Sequence, residues 1–294
     1  MDIVGTLKKI VEEYQTESPM NEPLLLGLTA GFGDDYALAI KYLDEAIDLQ
    51  GTLDEEKSFI LFLKSVSLSN LGRYEDALSV INLAIQFDST NQLNWSEKGD
   101  ILHDLERQEE ALEAYEKSLE LSKIEEQFED DIDTVLNRAD VLSHLERHEE
   151  ALEEYERSEK LDPYSTEVLF GKAYELFELK KYQESLTVCE KGLSVDRDDL
   201  DLVIHKGIVK LELGFEEEAL KYFEKATVID SADELAWYNK ACALARLNRK
   251  EEALDALTIA TGINSDYKES IKDEKDLENI KNEERFTRLL KQSL

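Results

Sequence analysis

A small residue followed by an apolar one recurs along this chain at nearly fixed spacing. The pairs are Ala39-Ile40, Ala77-Leu78, Ala111-Leu112, Ala151-Leu152, Ser185-Leu186, Ala219-Leu220 and Ala253-Leu254. Subtracting their positions gives intervals of 38, 34, 40, 34, 34 and 34 residues. A period of this size is typical of stacked copies of one supersecondary unit, because a single copy cannot bury its own apolar face. Such stacks present long concave surfaces, so the period favours binding over catalysis.

The best copies have the periodicity of two helices. Residues 236–247 place apolar and small side chains at i, i+3, i+4 and i+7, and residues 251–260 repeat that spacing after Asn248-Arg249, which predicts a turn. No stretch alternates with the period of two that strands require. Since the chain has only 3 prolines, almost no helix interior is interrupted. We therefore expect an all-α fold of helical hairpins.

The 34-residue unit carries an early apolar residue (Trp95 in one copy, Trp237 in another), a small residue four positions later and Ala twelve positions after that. In this pattern the unit resembles the tetratricopeptide repeat. The resemblance implies a right-handed superhelical solenoid of seven helix pairs with a capping helix at each end. The expected caps span 1–19 and 268–294, and the expected units are 20–53, 58–91, 92–125, 132–165, 166–199, 200–233 and 234–267.

Two departures from the pattern stand out. The first unit holds Pro23, Gly27, Gly31 and Gly33, so the sequence leaves open whether it forms a full helix pair. The longer intervals predict insertions near 54–57 and 126–131, of which the second either extends a helix or forms an acidic loop.

Charge limits the classes of partner. The chain has 34 Lys and Arg against 68 Asp and Glu, a formal net charge of −34. The resulting field repels nucleic acid and anionic membrane surfaces, whereas a basic or apolar protein partner remains compatible. With no long apolar run and two isolated cysteines, Cys189 and Cys242, we expect a soluble cytoplasmic protein without a zinc framework.

Motifs for catalysis or metal binding are missing from the sequence. His144 and His148 have a spacing that can chelate a metal, but His148 starts a second helix and a packed or solvated histidine is the simpler interpretation. The acidic run at 196–201 lacks the glycine and the closing glutamate of a calcium loop, which favours helix capping. We expect no catalytic residues, no cofactor, no metal and no enzymatic activity.

In the family that the chain resembles, the first helix of each unit lines the concave groove. Carried onto this sequence, the groove is first apolar, then polar and acidic, then aromatic and aliphatic. Its candidate partner-binding residues are Phe62, Val66, Asp100, Asp104, Asn137, Asp140, Phe170, Tyr174, Phe177, Ile204, Ile208, Leu211 and Tyr238. The same side chains could instead only pack neighbouring first helices together, or be covered by a terminal helix.

These observations predict a non-enzymatic scaffold that holds an apolar or basic peptide or helix of a partner protein in its groove. Co-chaperones of the family grip the acidic C-terminal tails of heat-shock chaperones with Lys, Asn and Arg. Here the corresponding places hold Ser96, Asp100, Asn137 and Glu167, so an acidic tail would meet repulsion from the two carboxylates rather than charge-assisted hydrogen bonds. The alternative is a structural module that assembles with its own copies; we expect a monomer or a weak homo-oligomer.

Overall fold

A computed structural model describes residues 22–48, 53–124, 132–264 and 271–291. In these ranges the chain forms fifteen α-helices, one short 3₁₀-helix and no strand, which confirms the all-α prediction. The helices are α1 (Glu22–Phe32), α2 (Tyr36–Ile47), α3 (Asp54–Asn70), α4 (Tyr74–Phe87), α5 (Gln92–Asp104), α6 (Gln108–Ile124), α7 (Ile132–His144), α8 (His148–Leu161), α9 (Thr166–Glu178), α10 (Tyr182–Val195), α11 (Leu200–Glu212), α12 (Glu216–Ile229), α13 (Glu234–Arg246), α14 (Lys250–Ile263) and α15 (Glu284–Lys291). The N-terminal cap expected over 1–19 lies outside the described residues.

The first fourteen helices form seven hairpins with one kind of turn. Each turn contains one residue in the left-handed region, with φ between 56° and 78°, at Asp34, Gly72, Glu106, Glu146, Lys180, Gly214 and Asn248. In the third hairpin the Arg107 N–H donates to the Leu102 carbonyl at 2.9 Å, the six-to-one bond of a Schellman motif. These turn residues are separated by the same 38, 34, 40, 34, 34 and 34 residues as the sequence pattern.

Both predicted insertions fall next to helix ends. The first lengthens α3, which begins at Asp54 and has 17 residues where most first helices have 13. At the second, α6 continues to Ile124, and residues 125–131 are outside the described ranges. The glycine-rich first unit nevertheless forms a complete pair, α1 and α2, in which a Cβ on Gly27 would already lie 3.0 Å from Leu43.

The chain divides into two compact units, Met1–Ser158 and Glu159–Leu294. In the first, α1 through α7 pack so that each second helix contacts the next first helix, and successive first helices also contact each other. In the second, α9 through α14 repeat that arrangement. Within each unit the first helices are therefore neighbours, and their side chains share one face. The exact bounds of the seven sequence units stay a prediction.

Small residues let the helices of a hairpin approach closely. An added Cβ on Gly99 of α5 would lie 2.3 Å from the Tyr115 ring of α6, and one on Gly207 of α11 would lie 2.5 Å from the Phe223 ring of α12. Tyr115 and Phe223 are almost completely buried. The glycines are thus required by packing, because the ring of the partner helix fills the space of the missing side chain.

We expect Gly99→Ala to destabilise the first unit although alanine is the better helix former. The gain in helix propensity, about 1 kcal/mol, is outweighed by overpacking of about 1–3 kcal/mol. The Tyr115 ring cannot swing aside freely, since its hydroxyl donates to Asp100 at 2.7 Å. Gly262→Ala is the matched control: no atom lies within 4 Å of its Cβ position, so it should stabilise. Denaturant unfolding measures both; a stable Gly99→Ala variant would contradict this packing account.

The C-terminal residues 271–291 cover the end of the second unit. They contain turns, a 3₁₀-helix (Lys275–Leu277) and α15, which begins 34 residues after α14 begins, so the segment takes the place of a degenerate further repeat. Its apolar side chains are buried in one cluster with α13 and α14. They are Ile271, Leu277, Ile280, Phe286 and Leu289. A terminal repeat must hide an apolar face in this way.

Candidate functional site

In the first unit, the predicted acidic face also ties three helices together. The carboxylate of Asp100 on α5 accepts hydrogen bonds from Tyr115 of α6 and from the Asn137 amide of α7, both at 2.7 Å. Forty residues later the Tyr155 hydroxyl donates to Asp140 in the same way. Two of the predicted groove acids are therefore also structural, whereas Asp104 is exposed at the end of α5.

A second carboxyl on α5 lies between first helices. Glu97 accepts hydrogen bonds from Ser69 and Ser65 of α3, at 3.2 and 3.4 Å. Burial, reinforced by the negative charges of Asp100 and Asp104, raises the pKa of Glu97 from 4.5 to about 8. Glu97 is thus largely protonated at neutral pH, and the charge of this face is lower than the sequence suggests. In the apolar part of the face, Phe62 is buried and Val66 is partly buried.

In the second unit, an aromatic patch consists of Phe170, Tyr174 and Phe177 of α9 with His205 of α11. The ring centre of His205 lies 5.8 Å from Phe170, 6.1 Å from Tyr174 and 5.6 Å from Phe177. Tyr174 keeps 39% of its surface exposed, while Phe170 and Phe177 are partly buried. The aromatic part of the predicted groove is therefore assembled around a histidine, with one ring turned to solvent.

Burial fixes the charge state of that histidine. It lowers the pKa of His205 to about 4, so the imidazole is neutral at physiological pH. The Oγ of Ser185 lies 3.3 Å from its Nε2. Burial and the negative charges of Glu178 and Glu175 raise the pKa of the Tyr174 phenol. The patch thus has neutral rings and acidic neighbours.

The remaining predicted residues of the second unit differ in exposure. Ile204 and Leu211 of α11 are buried in the core, with 3% and 6% of their surface exposed, and only Ile208 is partly exposed. The Tyr238 hydroxyl of α13 donates to Glu274 of the C-terminal segment at 2.8 Å. A ligand that occupied the face at Tyr238 would have to displace that segment. Of the predicted groove residues in this unit, Tyr174 of α9 is therefore the most exposed.

Sequence reasoning missed Glu97 and His205. Each directly follows a residue that was assigned to the groove, Ser96 and Ile204, and each points toward the preceding first helix. The sequence did offer one signal: both residues are titratable and occupy the same place in their units. Each lies two residues after the early apolar residue, which is Trp95 in one unit and Val203 in the other.

Two histidines of the first unit also meet. His103 at the end of α5 and His144 at the end of α7 are in edge-to-face contact, with ring centres 5.4 Å apart. His144 and His148 are four residues apart in the sequence, but the ring that His144 contacts in the structure is that of His103. In the described part of the chain, no group of three or more His, Cys, Asp or Glu side chains is arranged to hold a metal ion.

The chain is similar to known repeat proteins along most of its length. The sequence pattern described as tetratricopeptide repeat matches residues 94–124, 132–165 and 166–199, and a second pattern of that description matches 206–267. These segments together make up more than half of the chain. The chain belongs to the tetratricopeptide repeat family.

A TPR repeat-containing protein of Methanocaldococcus jannaschii is 29% identical over 120 residues, which are 41% of this chain and 20% of that protein. The chain thus spans about a fifth of that relative's length.

Several solved structures share the fold. A TPR protein of Parabacteroides merdae covers 92% of this chain and 96% of its own, with a TM-score of 0.67 and 16% identity. YrrB, described as a TPR protein with an unusual peptide-binding site, covers 69% of this chain and 99% of its own, with a TM-score of 0.56 and 23% identity. MamA of Desulfovibrio magneticus covers 60% and 97%, with a TM-score of 0.56 and 15% identity. At these identities the likeness shows the fold, a TPR solenoid. None of the described helices is long and apolar enough to cross a membrane.

Proposed function

We propose that this TPR protein is a non-enzymatic scaffold that holds a segment of a partner protein against the first-helix face of its second unit. The observation that carries the proposal is the aromatic patch on α9. Tyr174 contacts the central His205 ring, with ring centres 6.1 Å apart, and remains 39% exposed. A large ring held rigidly by its neighbours and open to solvent is the usual form of a binding hot spot.

The surroundings of the patch favour a segment with apolar anchors and flanking Lys or Arg. The negative charge of Glu178 on α9 contributes to raising the pKa of the Tyr174 phenol, and the corresponding place on α11 is Glu212. In the first unit, the exposed Asp104 and Asp140 add negative charge to the equivalent face. On the second unit, a cationic side chain beside an apolar anchor would be attracted by the carboxylates of Glu178 and Glu212. Peptide binding by the structural neighbour YrrB accords with this use of the fold.

The partner class can be tested with a displayed library of random peptides. We expect the protein to select peptides rich in large apolar residues and Lys or Arg. Phe170→Ala with Tyr174→Ala should weaken binding of the selected peptides by about 10- to 100-fold, as loss of two hot-spot rings does. Fluorescence anisotropy measures the affinity, and circular dichroism confirms that the variant remains helical.

The matched control removes aromatic rings outside the patch. Tyr164 and Phe215 are 70% and 48% exposed, so Tyr164→Ala with Phe215→Ala deletes two exposed rings of the same unit. This control should keep full affinity and show the same decrease of association rate with salt as the unchanged protein. Equal loss in both variants, or a library without binders, would contradict the proposal. If light scattering instead shows an oligomer that only the patch variant dissociates, self-assembly is the function of the face.

A further inference from the structure

The two histidines in contact on the first unit present unused ligand atoms. His144 Nδ1 lies 2.8 Å from the main-chain carbonyl oxygen of Asp140, and His103 Nδ1 lies 2.9 Å from the side-chain oxygen of Gln108. A carbonyl oxygen can only accept, so in each ring Nδ1 carries the hydrogen and donates it. In the neutral imidazole the lone pair is therefore on Nε2, one of the two ring nitrogens through which histidine binds metals.

Both rings already have the support that a metal ligand requires. A histidine that binds a metal usually donates its other N–H to a carbonyl or carboxylate, which fixes both tautomer and ring orientation. Here that role is taken by Asp140 and Gln108. Among the described residues no hydrogen-bond donor meets either Nε2. His144 is exposed and His103 partly exposed, so an ion can reach both rings from solvent.

The spacing of the rings matches that of two imidazoles on one ion. With metal–nitrogen bonds of about 2.0–2.1 Å, each ring centre lies about 3.2 Å from the metal, and two rings at the tetrahedral angle are about 5.2 Å apart. The observed separation of the ring centres is 5.4 Å.

We propose that Nε2 of His103 and Nε2 of His144 bind one divalent ion of a late first-row transition metal, copper, nickel or zinc. The protein supplies two ligands, in accord with the absence of any larger ligand group in the described residues. Water completes the coordination, and the exposed carboxylates of Asp104 and Asp140 on the same two helices attract the cation. Imidazole ligands disfavour magnesium and calcium, and we expect the affinity order copper over nickel and zinc.

Cu²⁺ is the sharpest probe of this site. Calorimetric titration of the full chain should show one binding event. His103→Ala or His144→Ala should each weaken binding by about 10- to 100-fold, because loss of a group that only hydrogen-bonds to a metal ligand already has an effect of this size. His148→Ala is the matched control, because His148 is four residues from His144 and lies outside the pair; it should bind as the unchanged protein does. Electron paramagnetic resonance of the Cu²⁺ complex should show two nitrogen ligands, and one in each variant.

Other results would overturn the site. With 68 Asp and Glu in the chain, carboxylates alone bind divalent ions weakly. If the double variant His103→Ala with His144→Ala keeps the affinity of the unchanged protein, or if the spectrum shows only oxygen ligands, the bound ion belongs to those carboxylates. Equal weakening by His148→Ala would place the ligands on α7 and α8 instead. The result of the peptide-binding experiment does not affect this test, because the aromatic patch lies on α9 and α11 and the two histidines lie on α5 and α7.

Discussion

Replacing Phe286 by Ala is expected to lower the free energy of unfolding of the second unit by about 3–5 kcal/mol, the usual cost of removing a buried phenylalanine ring. Phe286 of α15 is 3% exposed and belongs to the apolar cluster that α13 and α14 share with the C-terminal segment. Each helical repeat is stabilised mainly by its neighbours. Without the ring, the last hairpin loses the contact that closes its apolar face.

The neighbouring residue separates apolar burial from ion pairing. Arg285 bonds to Glu251 at 2.8 Å and to Asp255 at 2.6 Å, but all three side chains are exposed. Because solvent screens such pairs, Arg285→Ala should change stability much less than Phe286→Ala does. Hydrogen exchange resolved along the chain measures both: Phe286→Ala should speed exchange in α13 and α14 and leave α3 unchanged. Larger loss from Arg285→Ala would show that the ion pairs hold the segment.

The sequence period predicts the hairpins because packing between helices repeats with it. Small residues such as Gly99 recur where a large side chain from the second helix must fit, so the spacing of small and large residues is visible in the sequence. The turns are less visible. Glu106, Glu146 and Lys180 adopt positive φ, a conformation that usually favours glycine. The period locates these turns, whereas residue type alone does not.

For the candidate site, the sequence predicts which helix face matters but not which side chains remain exposed. A helical period assigns Ile204 and Tyr174 to the same face, yet Ile204 is 3% exposed and Tyr174 is 39% exposed. That difference depends on how far the next first helix covers each position. The hydrogen bond from Tyr238 to Glu274 likewise depends on the C-terminal segment. Because that segment departs from the repeat pattern, the pattern does not predict where its residues lie.

Glu97→Gln is expected to stabilise the first unit at alkaline pH. In the folded protein, burial and the charges of Asp100 and Asp104 raise the pKa of Glu97 to about 8, against an ordinary value of 4.5. Below pH 4.5 the carboxyl is protonated in the folded and the unfolded chain, so stability is unaffected. Between pH 4.5 and 8 only the unfolded chain loses the proton, and the folded state becomes progressively less stable. Above pH 8 the full penalty applies.

The size of that penalty sets the expected effect. A pKa difference of this size corresponds to about 5 kcal/mol at most, and partial solvation of the carboxyl reduces the expected gain at pH 9 to roughly 2–4 kcal/mol. Glutamine keeps an oxygen that can accept from Ser69 and carries no charge at any pH. Denaturant unfolding at pH 4, 7 and 9 should therefore show no gain, a partial gain and the full gain.

An exposed glutamate of the same unit is the matched control for this prediction. Glu110 accepts hydrogen bonds from Arg107, and these bonds lower the pKa of its carboxyl. Its charged form is thus favoured in the folded state, so Glu110→Gln should give no gain at pH 9. If Glu97→Gln shows the same stability as the unchanged protein at every pH, Glu97 is ionised in the folded protein. The face between α3 and α5 would then carry one more negative charge toward a basic partner.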